Sequence, residues 1–151
     1  MKIGIIGSGR VGYSMGKYMQ DHGIRVTGFF DRHPDRALDA AQFTGTDSFD
    51  RIEDLVAASD TLFLTTSDGE IANVWDCIRH LSIQGKIICH FSGSLSSDQF
   101  QGIEKTRAYG LSIHPMLAFS DKYTSYKQLQ NAFFTLEGHV QALAVMEPLL
   151  Q

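Results

Sequence analysis

A glycine-rich stretch near the amino terminus is the part of the sequence best suited to binding chemistry. Residues 7–12 read Gly-Ser-Gly-Arg-Val-Gly, which is a G-x-G-x-x-G pattern. Between a strand and a helix, such a loop brings backbone N–H groups and the positive end of the helix dipole to a pyrophosphate. Its glycines allow a tight turn, close approach of the backbone to the phosphates, and packing of helix against strand. The residues predicted to form this dinucleotide site are Gly7, Ser8, Gly9, Arg10, Val11 and Gly12.

The sequence around this loop has the context that a dinucleotide site needs. An apolar run, Lys2–Ile6, precedes the loop, and an amphipathic stretch, Arg10–Asp21, follows it. A second apolar run ends at Asp31, 19 residues past Gly12, where a carboxylate can accept hydrogen bonds from ribose hydroxyls. Arg32 follows, and its guanidinium could instead hold the 2′-phosphate of NADP. The Asp31-Arg32 pair is therefore compatible with either NAD or NADP. NAD is slightly favoured, because a carboxylate repels the 2′-phosphate of NADP.

Three further polar segments follow predicted strands, at the edge where open α/β sheets bind ligands. The hydroxyls at 65–67 are predicted to line the cofactor groove. A Ser-Gly-Ser segment at 92–94 lacks the glycine spacing of a nucleophile elbow, which disfavours a serine hydrolase. The histidine at 114 suits proton transfer because the ordinary pKa of histidine lies near neutrality, and a structural loop histidine is the equal alternative. These segments add Thr65, Thr66, Ser67, Ser92, Ser94 and His114 to the predicted site.

Short apolar runs alternate with stretches of helical periodicity along the whole chain. The alternation predicts an α/β fold of the Rossmann type, with a doubly wound and mostly parallel sheet, because parallel neighbours need crossover connections. Strands are predicted at 2–6, 24–30, 44–47, 61–66, 86–91, 108–113 and 131–136. Helices are predicted at 10–21 and 34–42, with others starting near Asp50, Ser67, Ser96 and His139. Three pairs match the spacing of a capping box, namely Asp50 with Glu53, Ser67 with Glu70 and Ser96 with Gln99.

Length and composition narrow the class of protein. A chain of 151 residues predicts one domain, residues 1–151. The net charge of −4 disfavours a broad surface for nucleic acid or anionic membranes. No apolar run reaches the roughly 18 residues of a membrane span. Cys77 and Cys89 lie in apolar stretches and are predicted to be buried, reduced thiols in a cytoplasmic protein, and no metal-ligand spacing is found.

The glycine loop, the segment His90-Phe91-Ser92-Gly93 and the segment His114-Pro115-Met116 together resemble a known group of proteins. The sequence is similar, over essentially its whole length, to the Rossmann-like oxidoreductases of the 6-phosphogluconate-dehydrogenase-like superfamily. Relatives in that superfamily include pyrroline-5-carboxylate reductase and prephenate/arogenate dehydrogenase. The resemblance implies that His114 handles the substrate proton and that Ser92 assists it. The resembling branch more often has Ser-Arg where this chain has Asp31-Arg32, so an NADP preference is not carried over.

The resemblance also implies a helical C-terminal domain, not contained in this sequence, that closes the substrate site and usually forms a dimer. We therefore expect a cofactor domain that binds NAD or NADP, has negligible turnover by itself, and acts on a small-molecule substrate within a homo-oligomer. Val140, Leu143 and Leu150 on the last helix are expected to be exposed and to mediate self-association. Two other hypotheses remain open: a non-catalytic dinucleotide-binding or regulatory module, and a binder of S-adenosylmethionine or a mononucleotide.

Overall fold

Seven strands form one sheet in the computed structural model, which describes residues 1–150. The strands are β1 (Lys2–Ile6), β2 (Arg25–Phe30), β3 (Asp47–Ser48), β4 (Thr61–Leu64), β5 (Ile87–His90), β6 (Tyr109–Pro115) and β7 (Phe134–Gly138). Their order is β3-β2-β1-β4-β5-β6-β7. All neighbours are parallel except β6 and β7, which are antiparallel. The predicted α/β fold with a doubly wound, mostly parallel sheet is confirmed. From β1 the chain adds β2 and β3 toward one edge of the sheet, and from β4 onward it adds strands toward the other edge.

Five α-helices cover the two faces of this sheet. They are α1 (Arg10–Asp21), α2 (Pro34–Thr44), α3 (Ile52–Ala58), α4 (Asp68–Ile78) and α5 (Val140–Met146). Short 3₁₀ helices lie at Ser97–Gln99, Ile103–Lys105, Ser125–Asn131 and Glu147–Leu150. The predicted strands and helices exist as elements of the predicted type, except that the helix expected after Ser96 is only a three-residue 3₁₀ turn. The end of the predicted domain, Gln151, lies outside the described residues.

The core consists of two apolar layers, one on each face of the sheet. Successive residues of a strand point to opposite faces, so Phe63 of β4 packs with Met15 and Met19 of α1, whereas Leu62 and Leu64 pack with the layer that contains Trp75 of α4. Because both faces are covered, the central strands are apolar at nearly every position. This explains why β4 and β5 appear in the sequence as continuous apolar runs.

Several sequence expectations about side-chain position are wrong. Cys77 is exposed, because the buried side of α4 is the stripe Ile71, Trp75 and Ile78. Leu150 is buried and Leu143 is half-buried against the core, because the 3₁₀ turn that follows α5 carries the chain back onto the sheet. Of the three last-helix residues expected to be exposed, only Val140 is clearly so.

The three predicted capping boxes do not form as such. α3 begins at Ile52 after Arg51, so Asp50 lies too early to cap it. Ser67 does precede α4, but its side chain makes no capping hydrogen bond, and its carbonyl accepts the Glu70 N–H at 2.9 Å. Ser96 Oγ accepts the N–H of Asp98, at 3.2 Å, rather than that of Gln99.

The first helix lies unusually close to the sheet because it carries glycine where it crosses β1 and β2. A Cβ at Gly16 would lie 2.7 Å from Cζ of Phe29 and 3.0 Å from Cδ1 of Ile5. Both of these side chains are fully buried, so neither can move aside easily. The position of Gly16 in α1 therefore determines how closely the helix approaches the strands.

We predict that Gly16→Ala lowers the free energy of unfolding by about 1–3 kcal/mol, because the added methyl group overpacks the core. Gly69→Ala is the matched control, since Gly69 also lies in a helix but its Cβ would meet nothing within 4 Å. That control should be neutral or stabilising by up to about 1 kcal/mol, as alanine favours helix over glycine. Urea unfolding of the two variants measures both values, and equal stability of the two would contradict the packing argument.

Candidate functional site

The glycine loop turns sharply between β1 and α1. Gly7 has φ of 109°, a backbone conformation that side chains rarely adopt, and its N–H donates to the Phe30 carbonyl at 2.9 Å. A Cβ at Gly12 would lie only 2.6 Å from the Gly7 carbonyl oxygen. A Cβ at Gly9, in contrast, would meet nothing within 4 Å. Gly7 therefore allows the turn, Gly12 allows the close contact of α1 with the end of β1, and Gly9 leaves open space beside the loop.

The start of α1 presents unpaired backbone donors at this loop. The first hydrogen bond of the helix runs from the Tyr13 N–H to the Gly9 carbonyl at 3.0 Å. The amides of Arg10, Val11 and Gly12 therefore have no partner within the helix, and no side chain caps them from Gly9. Together with the helix dipole, these donors form the kind of cradle that phosphate groups occupy.

Asp31, at the end of β2, holds the glycine loop in place. Its Oδ2 accepts hydrogen bonds from the Ser8 N–H at 3.0 Å and from the Ser8 hydroxyl at 2.9 Å. Its Oδ1 accepts the His33 N–H at 2.8 Å. The carboxylate thus has a structural task in addition to the ribose contact predicted from the sequence. A substitution at Asp31 will disturb the loop as well as the charge of the site.

A cavity of about 250 Å³ lies between this loop, the end of β2 and the start of α4. Its lining residues are Ile6, Gly7, Ser8, Gly9, Phe30, Asp31, Arg32, His33, Arg36, Thr65, Thr66, Ser67, Glu70 and Val74. Eight predicted site residues are among them, which means that the structure brings the glycine loop, the Asp31-Arg32 pair and the hydroxyls at 65–67 together. Arg10, Val11, Gly12 and Ser94 do not line this cavity.

Sequence reasoning missed six residues of the cavity wall: Ile6, Phe30, His33, Arg36, Glu70 and Val74. A signal for Arg36 existed, because α2 starts at Pro34, directly after the Asp31-Arg32 pair, and first-turn residues of that helix face the same edge. Glu70 was interpreted only as part of a capping box. In the structure its carboxylate lies 3.8 Å from the Arg32 guanidinium instead.

Threonines at the end of β4 complete the wall on the sheet side. Thr65 Oγ1 donates to the Gly7 carbonyl at 3.0 Å, which ties β4 to the glycine loop. Thr66 Oγ1 is buried and has no hydrogen-bond partner within residues 1–150. An unpaired buried hydroxyl on a cavity wall is a group that a polar ligand can satisfy. The donors, the open side of Gly9 and this hydroxyl all fit a dinucleotide.

A second cluster lies further along the same edge, at the ends of β5 and β6. His114 belongs to β6 itself, where it pairs with Thr135, and not to the loop after the strand that the sequence predicted. Its ring packs on the backbone of Gly93, where a Cβ would lie 2.6 Å from His114 Cε1. The ring is half-buried, and within residues 1–150 its nitrogens have no hydrogen-bond partner. Both ring nitrogens of His114 are therefore available as hydrogen-bonding groups at this edge of the sheet.

The turn that supports His114 is held by His90 and Ser92. The Ser92 N–H donates to His90 Nδ1 at 3.2 Å, so Nε2 carries the proton and donates to the Ser96 carbonyl at 2.7 Å. Ser92 Oγ accepts the N–H groups of Ser94 and Leu95 at 3.2 and 3.1 Å. Ser92 is buried in this turn, and Ser94 Oγ donates to Asp68 in the first turn of α4 at 3.1 Å.

Burial lowers the pKa of His90, although the hydrogen bond to Ser96 works in the opposite direction. The folded chain therefore holds His90 neutral, and the unfolded chain takes up the proton more readily. The stability that neutral His90 contributes is complete above a pH of about 6.5, the ordinary pKa of histidine, and is lost as the pH falls through the lower pKa of the folded chain.

We predict that the difference in free energy of unfolding between the native chain and His90→Gln shrinks as the pH falls below about 6.5. Urea unfolding of both proteins at a series of pH values measures this difference. His80→Gln, the same substitution at an exposed histidine, controls for the removal of a histidine as such. A difference that stays constant across the series would mean that His90 is not held neutral.

Within residues 1–150, no group of three or more histidine, cysteine, aspartate or glutamate side chains comes together as metal ligands would. The same residues contain no helix long and apolar enough to cross a membrane.

The glycine loop at the start of α1, beside a cavity at the carboxyl edge of a parallel sheet, defines a nucleotide-binding domain of the Rossmann type. The chain belongs to the GFO_IDH_MocA family, described as an oxidoreductase family with an NAD-binding Rossmann fold, whose model matches residues 1–84. The oxidoreductase resemblance drawn from the motifs is confirmed at this level. A search of the curated proteins found no match.

Solved structures with the same fold extend over essentially the whole chain. A protein provisionally named an NADP oxidoreductase from Bacteroides fragilis aligns with a TM-score of 0.85 and 17% identity, over 99% of this chain and 56% of its own. An imine reductase variant from Myxococcus stipitatus, in complex with NAD+, aligns with a TM-score of 0.76 and 18% identity, over 99% of this chain and 49% of its own.

A 3-hydroxyisobutyrate dehydrogenase from Mycobacterium tuberculosis aligns with a TM-score of 0.74 and 20% identity, over 99% of this chain and 50% of its own. At these identities the likeness shows the fold. The chain spans about half the length of these solved structures.

Proposed function

We propose that residues 1–151 form the cofactor-binding domain of an NAD(P)-dependent oxidoreductase that transfers a hydride to or from a small metabolite. The observation that carries the proposal is the glycine loop, where free amides at the start of α1 face the open side of Gly9. The family supports the oxidoreductase class. The substrate classes of the solved structures, imines and hydroxy acids, are the first candidates for this chain.

In this proposal the amides of Arg10, Val11 and Gly12 donate to the pyrophosphate, while Ser8 and Gly9 shape the loop around it. Asp31 accepts a ribose hydroxyl with lone pairs that Ser8 and His33 leave free, because a carboxylate has about four acceptor sites. Thr65 holds the loop against β4, and Thr66 and Ser67 offer hydroxyls to the ligand. NAD is the preferred cofactor, since the fixed carboxylate of Asp31 opposes a 2′-phosphate.

The bound dinucleotide would supply or accept the hydride, and His114 would exchange the accompanying proton with the substrate. The unpaired ring nitrogens of His114 and their place at the same edge of the sheet support this role. Ser92 would act through the turn rather than on the reacting atoms, because its oxygen accepts two backbone N–H groups. Ser94 would hold the turn to α4 through Asp68, beside the nicotinamide end of the cofactor.

A cytoplasmic location and a homo-oligomeric state are further proposals. Two free thiols fit a reducing compartment. Val140 is the residue of the expected association surface that the structure leaves exposed, and Val145, also on α5, is exposed as well. Sedimentation of the chain tests the oligomeric state.

We predict that the chain binds a nicotinamide dinucleotide and that Gly9→Val weakens this binding at least about tenfold, or 1.4 kcal/mol. A Cβ at Gly9 meets no heavy atom within 4 Å, so the variant should fold normally, but its branched side chain fills the space proposed for the pyrophosphate. Titration calorimetry measures the affinity, and thermal unfolding confirms the fold. A variant that is folded and binds as tightly as the native chain would show that the loop is not the phosphate site.

We also predict that, in a full-length relative or reconstituted enzyme that includes the helical C-terminal domain implied by the resemblance, His114→Asn lowers turnover by about 10²–10⁴-fold while cofactor affinity stays unchanged, which is the pattern of a lost acid or base. A panel of imines and hydroxy acids, followed through the absorbance of the reduced dinucleotide, measures turnover. Full activity of the variant would remove His114 from the mechanism. In that complete enzyme, tight binding of a dinucleotide with no turnover on any substrate would instead favour the regulatory module considered above.

A further inference from the structure

Two side chains of opposite charge face each other across the cavity. Arg32 comes from the end of β2, and Glu70 comes from the first turn of α4. Their charged groups lie 3.8 Å apart, between Arg32 Nη1 and Glu70 Oε2, and both residues line the cavity. The Glu70 carboxylate has no other ion-pair or hydrogen-bond partner within residues 1–150. Glu70 therefore acts on the charge of the cavity mainly through Arg32.

The other carboxylate of the cavity is not free to respond to a ligand in the same way. Asp31 accepts three hydrogen bonds, two from Ser8 and one from His33, so its position is determined by the glycine loop and by the start of α2. Glu70 has no such restraint, and its side chain is 37% exposed. Of the two acidic groups, Glu70 is the one whose removal changes the charge of the cavity while leaving the loop intact.

The charges in the cavity are balanced. Two arginines, Arg32 and Arg36, stand against two carboxylates, Asp31 and Glu70. A ligand phosphate must displace Glu70 from the guanidinium before it can pair with Arg32. Without Glu70, the cationic groups would outnumber the carboxylates, and Arg32 would be available to a phosphate bidentately.

We propose that Glu70 strengthens the preference of this domain for NAD over NADP, beyond the contribution of Asp31, by holding Arg32 across the cavity. The inference rests on the proposed function, since it concerns the same dinucleotide site. In this arrangement Arg32 and Arg36 could bind a 2′-phosphate, but the ion pair between Arg32 and Glu70 competes with that binding. Because the Arg32 side chain is 74% exposed, the pair is screened by solvent, and its effect on selectivity is modest.

The test is Glu70→Gln, with the dissociation constants for NAD and NADP measured by titration calorimetry on this chain. We expect the ratio of the NADP constant to the NAD constant to fall about three- to tenfold in low salt. The change should become smaller at about 1 M salt, where charges a few ångströms apart in solvent are screened. An unchanged ratio in low salt would overturn the proposal.

The matched control is Glu53→Gln. Glu53 also lies in the first turn of a helix, α3, and also pairs with an arginine, Arg51, at 3.4 Å, but it does not line the cavity. Any effect of losing a negative charge at a helix start is common to both variants. The ratio of the two constants should stay at the native value in this control, and an equal shift in both variants would refute a specific role of Glu70.

The double variant Arg32→Ser with Glu70→Gln tests whether Glu70 acts through Arg32. We expect its ratio to equal that of Arg32→Ser alone, because a guanidinium that is absent cannot be released. A further shift toward NADP in the double variant would show that Glu70 acts on the phosphate directly and would overturn the proposed route. A native chain that binds neither dinucleotide contradicts the proposed function itself, whereas binding with an unmoved ratio contradicts only the role of Glu70.

Discussion

The beginning of α1 and the end of β1 approach so closely that a residue with a side chain does not fit between them. A Cβ at Gly12 would lie 2.6 Å from the Gly7 carbonyl oxygen and 2.8 Å from Thr65 Oγ1. The Thr65 hydroxyl donates to that same carbonyl, so β4 joins the contact. Three elements thus meet at one point, and their meeting determines where α1 begins beside the cavity. The positions of the cavity walls depend on this contact.

Hydrogen bonds between side chains and turns connect this contact to the neighbouring elements. Asp31 connects the loop to β2 through Ser8, and Ser94 connects the turn after β5 to α4 through Asp68. At the ends of β5 and β6, His114 likewise packs closely on Gly93, where a side chain would not fit. The turns at the carboxyl ends of β1, β2 and β5 are therefore held in part by hydrogen bonds. Such an edge can expose polar groups to a ligand without losing its shape.

The segment that follows β6 contacts α1 and α2 through Tyr123. The hydroxyl of Tyr123 donates to Asp39 of α2 at 2.8 Å, and Tyr13 of α1 donates to the same oxygen. These hydrogen bonds hold the pKa of Asp39 below its usual range, and the one from Tyr13 has the largest effect. The segment that follows His114 is thereby tied to the two helices next to the glycine loop. The two ends of the candidate site thus belong to one packed unit.

What the sequence alone determines about this protein is local. The glycine spacing, the alternation of strand and helix patterns and the residues at strand ends predict the fold, the glycine loop and more than half of the cavity wall, because turns and periodicities depend on near neighbours. The partners of side chains distant in sequence came only from the tertiary structure. Glu70 has the spacing of a capping residue, yet it faces Arg32, and Cys77 and Leu150 take their exposure from how α4 and the last turn lie on the sheet. Which side chains meet across a cavity depends on how whole elements cross, and that is decided by packing of the core rather than by any short stretch of chain.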